Sequence, residues 1–142
     1  MNQVIALCRD GLALYELAAR RIEDPAISDL FLNMAKLRRE AIGELSQLVK
    51  GSGEEVRKSG TLAGSTHAFL TEIQAKLSND ETASLVAQLE EHENRTIEQI
   101  QDVVRNTDFS NPDAKQVMDV LFDKLEMFKS TRAQITALRE SL

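Results

Sequence analysis

A carboxylate in the middle of an apolar helical stripe constrains this chain more than any other feature. Between Glu81 and Val104 apolar residues recur at about 100° per residue, which is the spacing of one helix face. Glu93 falls near the middle of that stripe, whose other members are Leu85, Val86, Leu89, Thr96, Ile97, Ile100, Val103 and Val104. Because a buried carboxylate is tolerated only when it is paired and hydrogen-bonded, this helix needs neighbours that supply suitable donors.

Composition favours helix along almost the whole chain. The 142 residues include no Trp, only two Pro and 4% aromatic residues, whereas Ala, Leu, Glu, Gln and Lys are abundant. No segment shows sustained alternation of β-branched residues. The predicted class is therefore all-α, in a single domain over residues 1–142.

Charge and hydropathy bear on the partners and the compartment. The net charge is -6, and no Lys/Arg run or aromatic-basic interleaving is present, so nucleic acid is not an expected partner. No stretch approaches the ~20 uncharged apolar residues that span a bilayer, and the first residues lack a basic leader, so we expect no membrane association and a cytoplasmic protein. The single cysteine, Cys8, excludes an internal disulfide and is expected to be a buried small hydrophobe.

Apolar periodicity predicts four long helices. They cover about residues 2–21, 25–50, 79–106 and 113–141. Asp24-Pro25 is typical of a helix start after a very short turn, and Gly51 fits a C-cap. Ser78 and Glu81 have the spacing of a capping box, and Asn111-Pro112 resembles a second helix entry of the Asp-Pro kind.

The connection between the second and third long helices is long. Residues 51–61 are polar and contain glycines, which predicts a loop, and a shorter helix is expected from Leu62 to about Lys76. The two segments can span 30 Å or more at ~1.5 Å per helical residue and ~3.3 Å per extended residue. Four long helices, two short turns and one long crossover are the connectivity of ferritin-like bundles. We therefore expect a ferritin-like four-helix bundle with a long crossover that carries a short extra helix.

In that topology three polar side chains meet at mid-height. Counted along the bundle at ~1.5 Å per residue, Tyr15, Arg38 and Glu93 all lie roughly 18 to 22 Å from the end where the first helix starts. We predict a buried Arg38–Glu93 ion pair, with the Tyr15 hydroxyl bonded to one member. Gly11 lies inside the first helix, which indicates close approach by a neighbouring helix.

A metal site is the alternative interpretation of the polar layer. Di-metal bundles use a Glu from each of two helices and Glu-x-x-His from each of the other two. Glu16, Glu90 and Glu93 are candidate ligands for iron or manganese, but Glu90 to Glu93 gives Glu-x-x-Glu and the last helix has no His. Arg38 also brings a positive charge to the place where cations would sit. We therefore commit to no metal ligand, no cofactor and no catalytic residue.

The remaining polar residues on the stripes have simpler interpretations. His67 and His92 fall on the edges of their helices, where partial burial or solvation is expected. Arg132 enters the stripe of the last helix and is expected to pair with Glu23 or Asp24, or to extend to solvent.

The chain resembles an uncharacterised bacterial family of ferritin-like four-helix-bundle proteins, known as a domain of unknown function. The residues that carry the resemblance are Asp10-Gly11, Tyr15, Ala18-Ala19, Asp24-Pro25, Phe31, Ala35, Arg38, Glu44-Leu45, Gly60, His67 and Glu90-x-x-Glu93. The resemblance implies a bacterial cytoplasmic protein with a stress-related role, and it implies no settled activity. Family members often continue with Glu-Asp and a Tyr, where this chain has Glu93-Asn94 and Ile100.

Three functional hypotheses follow. The first is a non-enzymatic structural or interaction protein, acting in stress and as a homodimer, whose protein partner is otherwise unknown. The second is a metal-binding ferritin-like protein or oxidoreductase that uses helix carboxylates. The third is a binder of small apolar molecules in a gap near Tyr15 and Gly11.

Overall fold

The computed structural model describes residues 1–58, 60 and 66–142 and is helical throughout its regular parts. Its helices are α1 (Asn2–Arg21), α2 (Pro25–Gly51), α3 (Thr66–Ala75), α4 (Glu81–Arg105) and α5 (Ala114–Ser141). No strand occurs in these ranges, so the predicted all-α class is confirmed. None of the described helices has an apolar stretch long enough to cross a bilayer.

The four long helices pack so that each lies directly beside two others. α1 packs against α2 and α4, and α5 packs against α4 and α2. Arg21 at the end of α1 donates a hydrogen bond to Glu81 at the start of α4. The Leu7 carbonyl near the start of α1 is hydrogen-bonded to His92 further along α4. α1 and α4 are therefore antiparallel. The short connections at residues 22–24 and 106–113 make α1 and α2, and α4 and α5, antiparallel as well.

The first two helices begin where the sequence predicts. The Asp24 carboxylate accepts a hydrogen bond from the Ala26 N–H at 2.9 Å, with proline at the first helical position. α2 ends one residue later than expected, because Gly51 is still helical and Ser52 is the C-cap. Gly53 takes the left-handed conformation, with φ at 84°, that a glycine allows after a helix end.

The predicted capping box at the start of α4 is wrong. Asp80 is the N-cap, and its carboxylate accepts from the Ala83 N–H at 3.1 Å. The Ser78 hydroxyl lies 2.5 Å from the Ser84 hydroxyl instead. A carboxylate two residues closer to the helix supplies the cap, so the serine is displaced from that role.

The predicted proline entry into α5 is also wrong. The helix begins at Ala114, and Pro112 belongs to the preceding turn. The Asn111 side chain accepts from the Asp113 N–H, and its carbonyl accepts from the Ala114 N–H, both at 3.0 Å. The Asn111 side chain closes a turn here, so the helix begins at Ala114, one residue later than predicted.

The crossover lies across α1. The Arg9 side chain donates to the Arg57 carbonyl at 3.0 Å, and the Arg57 N–H donates to Asn2 at 2.9 Å. α3 buries Phe69 and Ile73 and ends at Ala75, one residue before the predicted end near Lys76. Leu62 and Ala63, which were expected to open that helix, lie outside the described residues.

The core consists of two apolar clusters separated by one polar level. On α1 the break falls at Gly11, on α2 at Arg38, on α4 at His92 to Thr96, and on α5 at Thr131. The cluster on one side includes Leu14, Phe31, Met34, Leu85, Leu89 and Ile135. The cluster on the other side includes Val4, Ile5, Leu45, Ile100, Leu121 and Phe128. Every long helix therefore contributes to a single layer at mid-height.

Candidate functional site: a buried polar layer

An ion pair between α2 and α4 forms the centre of the layer. Arg38 Nη2 lies 2.7 Å from Glu93 Oε1, and both side chains are 1% exposed. Burial disfavours the charged guanidinium, but the charge of Glu93, together with Cys8, Tyr15 and the hydrogen bond to Glu93, outweighs this effect and raises the pKa of Arg38. The structure brings the two charges together at the height where helical rise and the predicted topology placed them.

Both oxygens of Glu93 have internal donors. The Tyr15 hydroxyl donates to Oε1 at 2.6 Å, so that oxygen accepts from both Arg38 and Tyr15. The Thr131 hydroxyl lies 3.1 Å from Oε2 and 2.9 Å from the Phe128 carbonyl, so its one proton is shared between them. Burial and the charge of Glu93 raise the pKa of Tyr15, which keeps the phenol protonated as a donor.

The other guanidinium nitrogen of Arg38 faces α1 and α4. Nη1 donates to the Thr96 hydroxyl at 3.2 Å and lies 3.4 Å from the Leu7 carbonyl. The guanidinium carbon lies 4.6 Å from the centroid of the Phe128 ring, within cation–π range. The close approach predicted at Gly11 is made by this same guanidinium, since a Cβ at Gly11 would lie 2.6 Å from Nη1.

His92 is fully buried, so the predicted partial burial or solvation at a helix edge is wrong. The side chain is 3% exposed, with Nε2 at 2.8 Å from the Leu7 carbonyl and the Phe69 ring at 5.4 Å. Because a carbonyl only accepts, Nε2 carries the proton; Nδ1 has no hydrogen-bond partner within the described ranges. Burial and the nearby charge of Arg38 lower the pKa of His92 to about 3, so the ring is neutral. α3 covers this edge through Phe69, which the periodicity of α4 does not indicate.

Two further polar contacts were not anticipated. Arg132 is partly buried and donates to Asn94 Oδ1 at 3.2 Å, whereas pairing with Glu23 or Asp24, or extension to solvent, was expected. Lys124 is 6% exposed at its side chain and lies 2.9 Å from Glu44. Burial disfavours its charge, but the hydrogen bond and the charge of Glu44 prevail and raise the pKa of Lys124. A lysine on an otherwise apolar helix face was the sequence feature that could have indicated this pair.

The remaining sequence candidates lie apart from the central pair. Cys8 is buried as predicted, and burial raises its pKa to about 11, so it is a protonated thiol. His67 lies on α3 and is exposed.

The three candidate metal ligands each pair with a different arginine. Glu16 lies 3.7 Å from Arg39, and Glu90 accepts from Arg139 at 2.9 and 3.0 Å. Glu93 is held by Arg38. Within the part of the chain that the structure describes, no group of three or more His, Cys, Asp or Glu side chains is arranged to hold a metal ion. The structure thus does not bring these carboxylates together as a ligand set.

These features define an all-helical protein whose long helices are joined by one buried ion-pair layer. Over residues 1–106 the chain matches the family model described as Domain of unknown function (DUF2383), and it belongs to that family. The matched region contains Tyr15, Arg38 and Glu93 but ends before α5, which supplies Thr131. Searches of curated proteins and of solved structures found no match.

Proposed function

We propose that this protein is a non-enzymatic, ferritin-like helical-bundle protein of the bacterial cytoplasm. In this proposal it acts in stress through its surface, and the Tyr15, Arg38 and Glu93 layer maintains the architecture of the core. The observation that carries the proposal is that each oxygen of Glu93 accepts a hydrogen bond from inside the protein while the side chain is only 1% exposed. A carboxylate that acts as a base or metal ligand needs a lone pair that a substrate or ion can reach, and at Glu93 burial and the internal donors oppose such access.

The position of the layer supports an architectural role. Apolar clusters lie on both sides of it, and Arg38 and Glu93 are each 1% exposed. A single arginine that contacts Glu93, Thr96 and the Leu7 carbonyl ties α2 to α4 and α1 in one register. Buried polar groups of this kind favour one helix arrangement over alternatives that would leave a charge unpaired.

The small-molecule alternative has less support. A cavity beside Tyr15 and Gly11 would need space that the guanidinium of Arg38 fills, because even a methyl group at Gly11 would overlap it. Tyr15 itself is 1% exposed and packs against Phe31, with ring centroids 5.9 Å apart. We therefore do not assign a ligand to this position.

The ferritin-like architecture is inferred from helix direction and connectivity. α1 and α5 run one way and α2 and α4 the other, and the long connection that contains α3 joins α2 to α4. This is the order of a bundle with one long crossover. The bacterial source, the cytoplasmic location and the stress-related role come from the family resemblance and complete the proposal.

Metal content and turnover test the proposal. Protein expressed with added iron and manganese is purified and assayed for bound metal and for steady consumption of peroxide and oxygen, alongside Glu93→Gln. Glu98→Gln is the matched control, because Glu98 is an exposed carboxylate on the same helix. We expect metal far below stoichiometric amounts in all three proteins and no turnover. Stoichiometric metal with turnover in the wild type would overturn the proposal, and its loss in Glu93→Gln but not in Glu98→Gln would assign the activity to the polar layer.

A further inference from the structure

An exposed apolar groove lies where the α4–α5 connection meets α5. Phe109 is 71% exposed and Phe122 is 51% exposed, although three of the five phenylalanines are buried. The two rings line the same groove of about 470 Å³, together with Pro112 and Met118. Large apolar side chains that share one concave surface are typical of a protein–protein contact. The Phe109–Phe122 groove lies entirely beyond the family-matched residues 1–106.

We propose that a second copy of this chain binds the Phe109–Phe122 groove across a two-fold axis. The inference rests on the proposed function, in which the protein acts through its surface, and it names the partner and the surface. Its first support is charge. Lys115 and Asp119 are the charged residues that line the groove, so the charges of its lining cancel although the chain carries a net charge of -6. A neutral site lets two acidic copies approach without local repulsion.

The second support is self-complementarity. Lys115 and Asp119 lie about one helical turn apart, with Lys115 Nζ 3.2 Å from Asp119 Oδ2. Their side chains are 89% and 67% exposed. A two-fold axis that passes halfway between them places Lys115 of each copy against Asp119 of the second copy. A two-fold interface requires such reciprocity, since every contact occurs twice with the roles exchanged.

The same axis also brings the apolar side chains together. Pro112 and Phe122 are equally far along the chain from the midpoint between Lys115 and Asp119. Phe122 of one copy therefore faces Pro112 and Phe109 of the second copy, and both exposed rings become covered. The contact involves only a few turns of helix and one loop, so we expect an interface near the small end of the specific range and a weak dimer.

Sedimentation velocity across a wide range of protein concentration tests the groove. We expect the wild type to shift from monomer to dimer as concentration rises, and Phe122→Ser to weaken the dimer by about tenfold or more, since a buried aromatic anchor is lost. Leu32→Ser is the matched control, because Leu32 is 50% exposed on α2 and does not line the groove. A wild type that stays monomeric, or that assembles beyond a dimer, overturns the inference.

Charge exchange tests the two-fold register. Lys115→Glu and Asp119→Lys should each weaken self-association, because each replaces an opposite-charge contact with a like-charge contact. A mixture of these two variants should associate again, since both intermolecular contacts then join opposite charges. The double variant Lys115→Asp/Asp119→Lys should also dimerise. If the mixture stays monomeric while the wild type dimerises, the register is wrong.

The test of the dimer interface and the test of the proposed function can fail independently. A monomeric wild type that lacks metal and turnover overturns the interface alone. A protein with stoichiometric metal and turnover overturns the proposed function, whatever its sedimentation. Circular dichroism of each variant establishes that the helices are intact, so a lost dimer reports on the contact itself.

Discussion

The guanidinium of Arg38 occupies the space that a side chain at Gly11 would need. A Cβ at Gly11 would lie 2.6 Å from Nη1 and 2.7 Å from the guanidinium carbon. Arg38 cannot easily withdraw, because Glu93 and Thr96 hold it through hydrogen bonds in a buried site. The glycine in α1 and the ion pair between α2 and α4 thus depend on each other.

Gly11→Ala should destabilise the protein by about 1–3 kcal/mol, because a methyl group forced into a packed site displaces the buried guanidinium. Gly43→Ala is the matched control, since no atom lies within 4 Å of a Cβ there and the residue is exposed on α2. It should stabilise by about 0.5–1 kcal/mol through helix propensity. Urea unfolding followed by circular dichroism measures both changes. Equal stabilisation by the two substitutions would show that Arg38 is not confined as described.

Removal of Glu93 alone should be costly. Glu93→Leu leaves the guanidinium of Arg38 buried without a counter-charge, and we expect a loss of about 3–5 kcal/mol in the free energy of unfolding. The double variant Arg38→Met/Glu93→Leu should recover a large part of that loss, because no uncompensated charge remains. Urea unfolding of Arg38→Met, Glu93→Leu and the double variant completes a double-mutant cycle, which gives the coupling free energy between the two side chains. Additive effects of the two single substitutions would contradict the ion pair.

The two hydroxyl donors to Glu93 should differ in importance. Tyr15→Phe keeps the ring beside Phe31 but removes the 2.6 Å bond to a charged acceptor, with an expected cost of about 1.5–3 kcal/mol. Thr131→Val should cost less, about 1 kcal/mol, because its proton is shared with the Phe128 carbonyl. Thermal unfolding at a fixed pH ranks the two variants. A larger loss for Thr131→Val would reverse this assignment.

His92 should make stability depend on pH in a definite direction. Its pKa is lowered from 6.5 to about 3 in the folded protein. Between these two pH values the unfolded chain therefore binds a proton at His92 that the folded chain does not. Above pH 6.5 neutral His92 makes its full contribution to the free energy of unfolding. As pH falls from 6.5 toward 3 this contribution is lost, by roughly 1.4 kcal/mol per pH unit where the dependence is steepest. The cleanest window is pH 6.5 to 4.5, above the ordinary pKa of Glu90, whose own pKa is lowered.

The test compares urea unfolding of two variants across that window. His92→Gln keeps an N–H donor near the position of Nε2 and removes the titration, so the pH dependence should flatten. His67→Gln removes an exposed imidazole and should leave the wild-type profile unchanged. A profile that stays steep in His92→Gln would place the responsible group elsewhere.

Much of the backbone could be predicted from local patterns. The bounds of α1 follow from its apolar spacing, and the start of α2 follows from Asp24-Pro25, because these are properties of neighbouring residues. The entries to α4 and α5 could not be predicted in the same way. Several capping side chains lie within a few residues of each other there, and which one bonds a given N–H is decided by small differences in geometry.

The sequence by itself determined that Tyr15, Arg38 and Glu93 lie at one height, because helical rise converts residue number directly into distance along an axis. Only the tertiary structure decided which groups complete the layer. His92 became buried because α3 covers it, and Thr131 became a donor because α5 turns that residue toward Glu93. Helical periodicity describes one face of one helix, whereas the burial of an edge residue depends on a neighbour that is distant in the chain.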